Sequence, residues 1–155
     1  MKRYFLEREQ WFDYPLSTVF DFFSRAENLG RITPAWVHFR IRSPLPIPMA
    51  VGTRIDYTIW LAGIPMRWRT RVSAWEPETR FVDLQEYGPY ARWVHTHQFE
   101  KHEGGVLMRD HVEYALPAGP LGKVAHVLVV RAALQAIFDH RFLCVREILA
   151  RENPR

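Results

Sequence analysis

The chain has one cysteine, Cys144, among 155 residues. That excludes an intrachain disulfide framework and a multi-cysteine zinc site, and it favours a reducing compartment. No apolar run looks long enough to cross a bilayer, so no integral membrane association is expected. The stretch from Met1 to Arg8 mixes charges with apolar residues and lacks the uncharged core of a secretory signal. A cytoplasmic location is therefore expected. There is no internal repeat, no low-complexity segment, no glycine-rich phosphate loop and no Gly-x-Ser-x-Gly nucleophile motif. Hydrophobic residues make up 48% and charged residues 25%, the balance of one globular domain spanning 1–155.

The net charge of +4 invites a search for nucleic-acid contacts. Arg67, Arg69 and Arg71 alternate with Trp68, Thr70 and Val72, which is how the solvated face of a half-buried strand reads. No basic tail or recognition helix accompanies them, so no nucleic-acid partner is expected. Transient contact with a membrane surface remains compatible with the charge.

What the chain does contain is strand periodicity. Residues 3–12 read as a first strand. A helix follows, with Pro15 in its first turn and Asp13 as its cap, carrying Val19, Phe20, Phe22 and Phe23 to about Ala26. Asn28 to Arg31 reads as a second short helix. Trp36 to Arg42 alternates as a strand. The segment Ser43-Pro44-Leu45-Pro46-Ile47-Pro48-Met49 is either a loop tucked against the body or a lid over a pocket mouth. Arg54–Leu61 and Pro65–Trp75 form a hairpin around Ala62-Gly63. Arg80–Glu86, Ala91–Lys101 and Val106–Ala115 continue an antiparallel meander. One long helix is expected from about Gly122 to Arg151. Its apolar stripe is read as Val124, Val127, Arg131, Leu134, Phe138, Phe142, Val145 and Leu149. A stripe of that length requires the apolar face of the sheet as its partner.

The strand Trp93-Val94-His95-Thr96-His97-Gln98-Phe99 carries the most chemistry. Alternate side chains share a face, so Trp93, His95, His97 and Phe99 point together. A turn at His102-Glu103-Gly104-Gly105 that pairs Lys101 with Val106 sets Phe99 opposite Met108 and His97 opposite Asp110. The same register sets His95 opposite Val112 and Trp93 opposite Tyr114. A one-residue slip would turn Asp110 to the other face. On the preceding strand Phe81, Asp83 and Gln85 share a face, with Asp83 opposite His95; the other register would present Val82, Leu84 and Glu86.

Element order and motifs together resemble the SRPBCC superfamily, the helix-grip fold of START-related lipid-transfer domains, birch-pollen allergens and polyketide cyclases. A narrower resemblance, to uncharacterised bacterial members, rests on several motifs. These are Gly63-Ile64-Pro65 with Trp68, Phe81-x-Asp83-x-Gln85, Gly88-Pro89, Trp93-x-His95-x-His97-x-Phe99, and Asp110 with Val112 and Tyr114. The resemblance implies an α+β fold, a curved antiparallel sheet of about seven strands around a long C-terminal helix, with two short helices after the first strand. It also implies an internal pocket for a hydrophobic small molecule such as a lipid, isoprenoid or polyketide, and neither a cofactor nor a metal.

The residues expected at that pocket are Trp68, Phe81, Asp83, Gln85, Trp93, His95, His97, Phe99, Asp110 and Tyr114. As a binding site, His97 and His95 would hold a polar head while the aromatics surround the body. As a cyclase or dehydratase without cofactor, His97 would move a proton with Asp110 orienting its ring. As a buried network, the His–Asp pair would only fix strand register. A two-histidine, one-carboxylate metal site is a further reading of the same spacing. His126 and His140 are expected on polar or flanking faces of the helix, His38, His102 and His111 at the surface, and Cys144 as a small apolar group.

Overall fold

The computed structural model describes residues 1–154. Seven strands form one antiparallel sheet: β1 (Tyr4–Phe12), β2 (Arg40–Ile41), β3 (Arg54–Leu61), β4 (Ile64–Glu76), β5 (Arg80–Tyr87), β6 (Arg92–His102) and β7 (Gly105–Ala115). Their order is β1-β7-β6-β5-β4-β3-β2, so the first strand closes onto the last and the remainder is a meander. Two short helices, α1 (Leu16–Phe23) and α2 (Asn28–Arg31), follow β1. The chain then ends in α3 (Gly119–Ala125), a π-helical turn at His126–Val130, and α4 (Arg131–Glu152). This is the helix-grip architecture the resemblance implied.

Local chemistry accounts for most of the boundaries. Ala62 and Gly63 both adopt positive φ, 48° and 77°, the tight turn that matches the twist of the flanking strands. Pro15 itself takes the N-cap position of α1 and offers no side-chain capping bond, so the N-cap position falls two residues beyond Asp13. The extended run expected from Trp36 to Arg42 shrinks to the two residues of β2. Ala35–Val37 forms a 3-10 turn after Pro34, and His38 takes a left-handed conformation at φ 48° that interrupts any strand.

One end of the molecule is filled solid. Phe12, Phe20, Phe22, Phe81, Phe99, Met108, Val145, Ile148 and Leu149 form a single buried cluster, in which α1 and the end of α4 close over the sheet. Two smaller clusters, around Val112, Tyr114, Leu134 and Phe138, and around Val37, Ile59 and Trp68, share Tyr90, Trp93 and Ile137. Residues of all three clusters line a hollow between the sheet and α4.

The terminal helix departs from its expected stripe. Leu134, Phe138, Val145, Ile148 and Leu149 are buried, whereas Val124, Val127 and Phe142 are exposed. The π turn inserts an extra residue into the helical repeat, so residues before it no longer share a face with those after it. The turn buries His126 instead, stacked on Tyr4 at 3.5 Å and hydrogen-bonded to the Tyr114 hydroxyl at 2.8 Å. His126 is thus a core residue and not a flanking one. By length and composition the helix Gly119–Glu152 could cross a membrane, an apolar reach that the sequence reading overlooked. Its α4 portion packs on the sheet as a core helix does.

If α4 faces the sheet in this way, Leu149→Ala should lower stability by about 2–5 kcal/mol. Val127→Ser should change it by less than about 0.5 kcal/mol. Denaturant melts of the two variants compare them directly.

Candidate functional site

The register expected from the sequence is the one observed. Lys101 pairs with Val106, His97 with Asp110, His95 with Val112 and Trp93 with Tyr114, while Asp83 pairs with His95 and Phe81 with His97. The side chains then lean across the ladder, and the hydrogen bonds run diagonally. His95 Nε2 lies 2.7 Å from Asp110 Oδ1, and His97 Nε2 lies 3.2 Å from Asp83 Oδ2. His97 Nδ1 also faces Asp110 Oδ1 at 3.1 Å. The two imidazoles are 3.8 Å apart, and His97 stacks on Phe81 at 4.1 Å.

This geometry divides the roles of the two histidines. Nε2 of His97 hydrogen-bonds Asp83, and Nδ1 lies beside Asp110 Oδ1 without the alignment of a hydrogen bond, so two carboxylates flank the ring and favour its doubly protonated form. Burial works against its charge, but the close contact with and attraction to Asp110 and Asp83 outweigh burial and raise its pKa above 6.5. His95 goes the other way. Burial, reinforced by the neighbouring His97 charge, lowers its pKa to about 4 against the opposing pull of Asp110. Asp110 is buried, which alone would favour its acid form, yet bonds and attraction to the two histidines hold it well below the usual carboxylate range.

The cluster forms part of the wall of a cavity of about 180 Å³. Six expected residues border it: Trp68, Phe81, Asp83, Trp93, His95 and His97. Four do not. Asp110 stands behind the histidines, and Phe99 packs into the aromatic plug against Phe20 and Phe81. The Tyr114 hydroxyl is engaged by His126. The Gln85 amide grips the backbone of Tyr90, donating to its carbonyl at 2.7 Å and accepting from its N–H at 3.3 Å. Gln85 therefore fastens the turn before β6. From the Pro-rich loop, Met49 reaches the cavity.

Several lining residues escaped the sequence reading. Tyr57 and Trp68 stack at 5.7 Å and both hydrogen-bond to Thr70 Oγ1, each at 3.1 Å. Tyr90 closes against Trp68 and Trp93. The most consequential is Arg141 of α4. Leu134, Phe138, Arg141, Val145 and Ile148 recur at spacings of four, three, four and three, so an arginine occupies the buried stripe. That periodicity was present in the sequence, but the stripe was drawn through Phe142.

The donor atoms of His95, His97 and Asp110 lie within 4.8 Å of one another, the composition of a two-histidine, one-carboxylate centre. Two ligands on one tetrahedral ion at ~2.0 Å stand about 3.3 Å apart. His95 Nε2 and Asp110 Oδ1 approach to 2.7 Å, the spacing of a hydrogen bond, so an ion would require the cluster to open.

The chain belongs to the family described as polyketide cyclase / dehydrase and lipid transport, whose model matches residues 12–139. Among solved structures, the chain is similar to the Zhui aromatase/cyclase from Streptomyces sp. R1128. The TM-score is 0.76 at 12% identity, over 99% of this chain and 98% of that one. A protein from Thermus thermophilus aligns with TM-score 0.75 at 17% identity, over 96% and 99%. The ginseng major latex-like protein from Panax ginseng aligns with TM-score 0.57 at 14% identity, over 86% and 96%. At these identities the likeness is one of fold. A search of curated proteins gave no match.

The two histidines should titrate apart. NMR of the ring protons should find one imidazole changing state near pH 4 and the other above pH 6.5; two transitions together at 6.5 would contradict the network. The stability that His97 contributes should be complete below about pH 6.5 and fall as pH rises through its higher folded value. His95 should act oppositely, withdrawing stability as pH falls from about 6.5 toward 4.

Proposed function

We propose that the chain binds a compact, mostly apolar molecule in the cavity between the sheet and α4. The observation that carries this reading is the make-up of the wall. Tyr57, Trp68, Trp93 and Phe138 enclose a body, while Asp83, His95 and His97 converge on one side. An aromatic cup with a few convergent polar groups is the usual composition of a small-molecule site. The volume narrows the ligand further. About 180 Å³ lies below the ~300–1,000 Å³ of typical pockets and suits one or two rings better than a long-chain lipid or isoprenoid. The single cysteine supports a cytoplasmic home for this activity.

A second reading, a cyclase or dehydratase without cofactor, is favoured by one observation. Asp83 lines the cavity with Oδ1 buried and without a hydrogen-bond partner, beside an imidazole poised to donate. In a β-hydroxy ketone, Asp83 would remove the proton next to the carbonyl. His97 would deliver a proton to the departing hydroxyl, so that an enone and water form. The base in this scheme is Asp83, and His97 is the acid.

Calorimetric titration with a neutral aryl ketone, 2-acetylnaphthalene, should give one site per chain. Ile137→Trp, which fills the cavity, should abolish binding while the protein stays folded; equal binding by that variant would place the site elsewhere. If the second reading holds, His97→Gln should keep ketone binding and slow dehydration of an aryl β-hydroxy ketone by about 10²-fold or more.

Transient contact with an anionic membrane surface is the accompanying proposal. Leu121, Val124, Val127, Leu128 and Val129 are exposed on one segment. Residues 114–138 contain Lys123 and Arg131 and no acidic residue. Co-sedimentation with phosphatidylglycerol vesicles should fall when Val127 and Leu128 are both replaced by Asp. Unchanged sedimentation would remove this surface from the account.

A further inference from the structure

Arg141 is the unexplained charge of the interior. It leaves α4 on the buried face and lines the same cavity as Asp83, His95 and His97. Its guanidinium lies over the Phe138 ring, with Cζ 4.8 Å from the centroid. Its Nε is shut away from solvent and has no hydrogen-bond partner among the described residues. The surface arginines behave differently. Arg54, Arg69 and Arg109 each hold a carboxylate at 2.7 Å.

No carboxylate among the described residues is hydrogen-bonded to Arg141. Asp110 and Asp83 attract it through space, but Asp110 Oδ1 is held by His95 and Asp83 Oδ2 by His97, and Asp83 Oδ1 has no hydrogen-bond partner. Neither fills a guanidinium N–H. A buried cation with open donors is costly to fold around unless something supplies the missing acceptor. Guanidinium also has the planar fork that recognises carboxylates and related oxyanions.

We infer that the ligand carries an acidic oxygen, as a carboxylate or an enolate, and that Arg141 receives it beside Phe138 while the aromatic cup holds the rest. This rests on the cavity reading and names the class of ligand it admits. The cluster is then divided by charge. Arg141 takes the anionic end, whereas Asp83 and His97, backed by Asp110, face a neutral or hydroxyl-bearing part of the same molecule. An aryl or polycyclic acid, or an enolised β-dicarbonyl, meets both demands.

The test compares two isosteric probes, 2-naphthoate and 2-naphthamide, by calorimetry at neutral pH. The wild-type protein should prefer the carboxylate by about tenfold or more, the scale of a charge-assisted hydrogen bond in a buried site. Arg141→Met keeps an unbranched side chain beside Phe138 without the charge, and should erase that preference while leaving amide binding nearly unchanged. Arg141→Lys should retain part of it, which keeps the test decisive if the methionine variant folds poorly. Equal wild-type affinities, a preference for the amide, or a preference that survives in Arg141→Met would each overturn the inference. Binding of 2-acetylnaphthalene with no binding of 2-naphthoate would overturn the role of Arg141 alone. Binding of none of the three probes would overturn the cavity reading and this inference with it.

Discussion

The structure turns on one buried arrangement of charge: an imidazole, His97, between two carboxylates on neighbouring strands. Asp83 comes from β5 and Asp110 from β7, and β6 carries His97 between them. Three strands must therefore pair in one register for any of the three groups to be tolerated in an interior. A slip by a single residue would expose the histidines and bury unpaired polar groups in their place. The same arrangement that fixes the sheet also places a proton donor and a buried carboxylate oxygen at the edge of a hollow. On the proposed function, structural and functional roles are not alternatives, because the constraint that sets register also orients the groups that would meet a ligand.

Around that constraint the fold divides its labour. The phenylalanine plug formed by α1, β1, β5, β6, β7 and the end of α4 excludes water from one end. It gives the sheet a rigid floor, so the hollow half can remain unfilled without collapsing. His97 sits at the junction, stacked on Phe81 of the plug and open to the cavity. Arg141 enters from the opposite wall on α4. The helix that grips the sheet thus does more than cover it, since it brings to the cavity wall a guanidinium that neither of the sheet's two carboxylates pairs.

The fold and the strand register were legible because they rest on local signals: alternation, a Glu103-Gly104 turn and an Ala62-Gly63 turn. The diagonal bonding of His95 to Asp110 and His97 to Asp83 was not, because Cα pairing does not say which way side chains lean across a twisted ladder. Gln85 and Tyr114 share the correct faces yet are claimed by the Tyr90 backbone and by His126, partners that strand alternation does not reveal. The Trp36–Arg42 strand failed where His38 leaves extended backbone, a local event that alternation does not encode. Arg141 was hidden because the stripe was drawn through its apolar neighbour Phe142, and the two differ by a single position on the helix. The π turn concealed the remainder by breaking the 3.6-residue repeat that had assigned Val124 and Val127 to the core.

The measurement closest to the central claim is chemical-shift mapping of the labelled protein as 2-naphthoate is added. The account predicts saturable shifts at the Trp68 and Trp93 indole N–H groups, the His97 ring and the Arg141 guanidinium, with the exposed segment from Leu121 to Val129 unmoved. Shifts confined to that exposed segment, with the indoles and His97 silent, would show a surface-binding protein whose buried charges only hold the sheet in register, and would contradict the account.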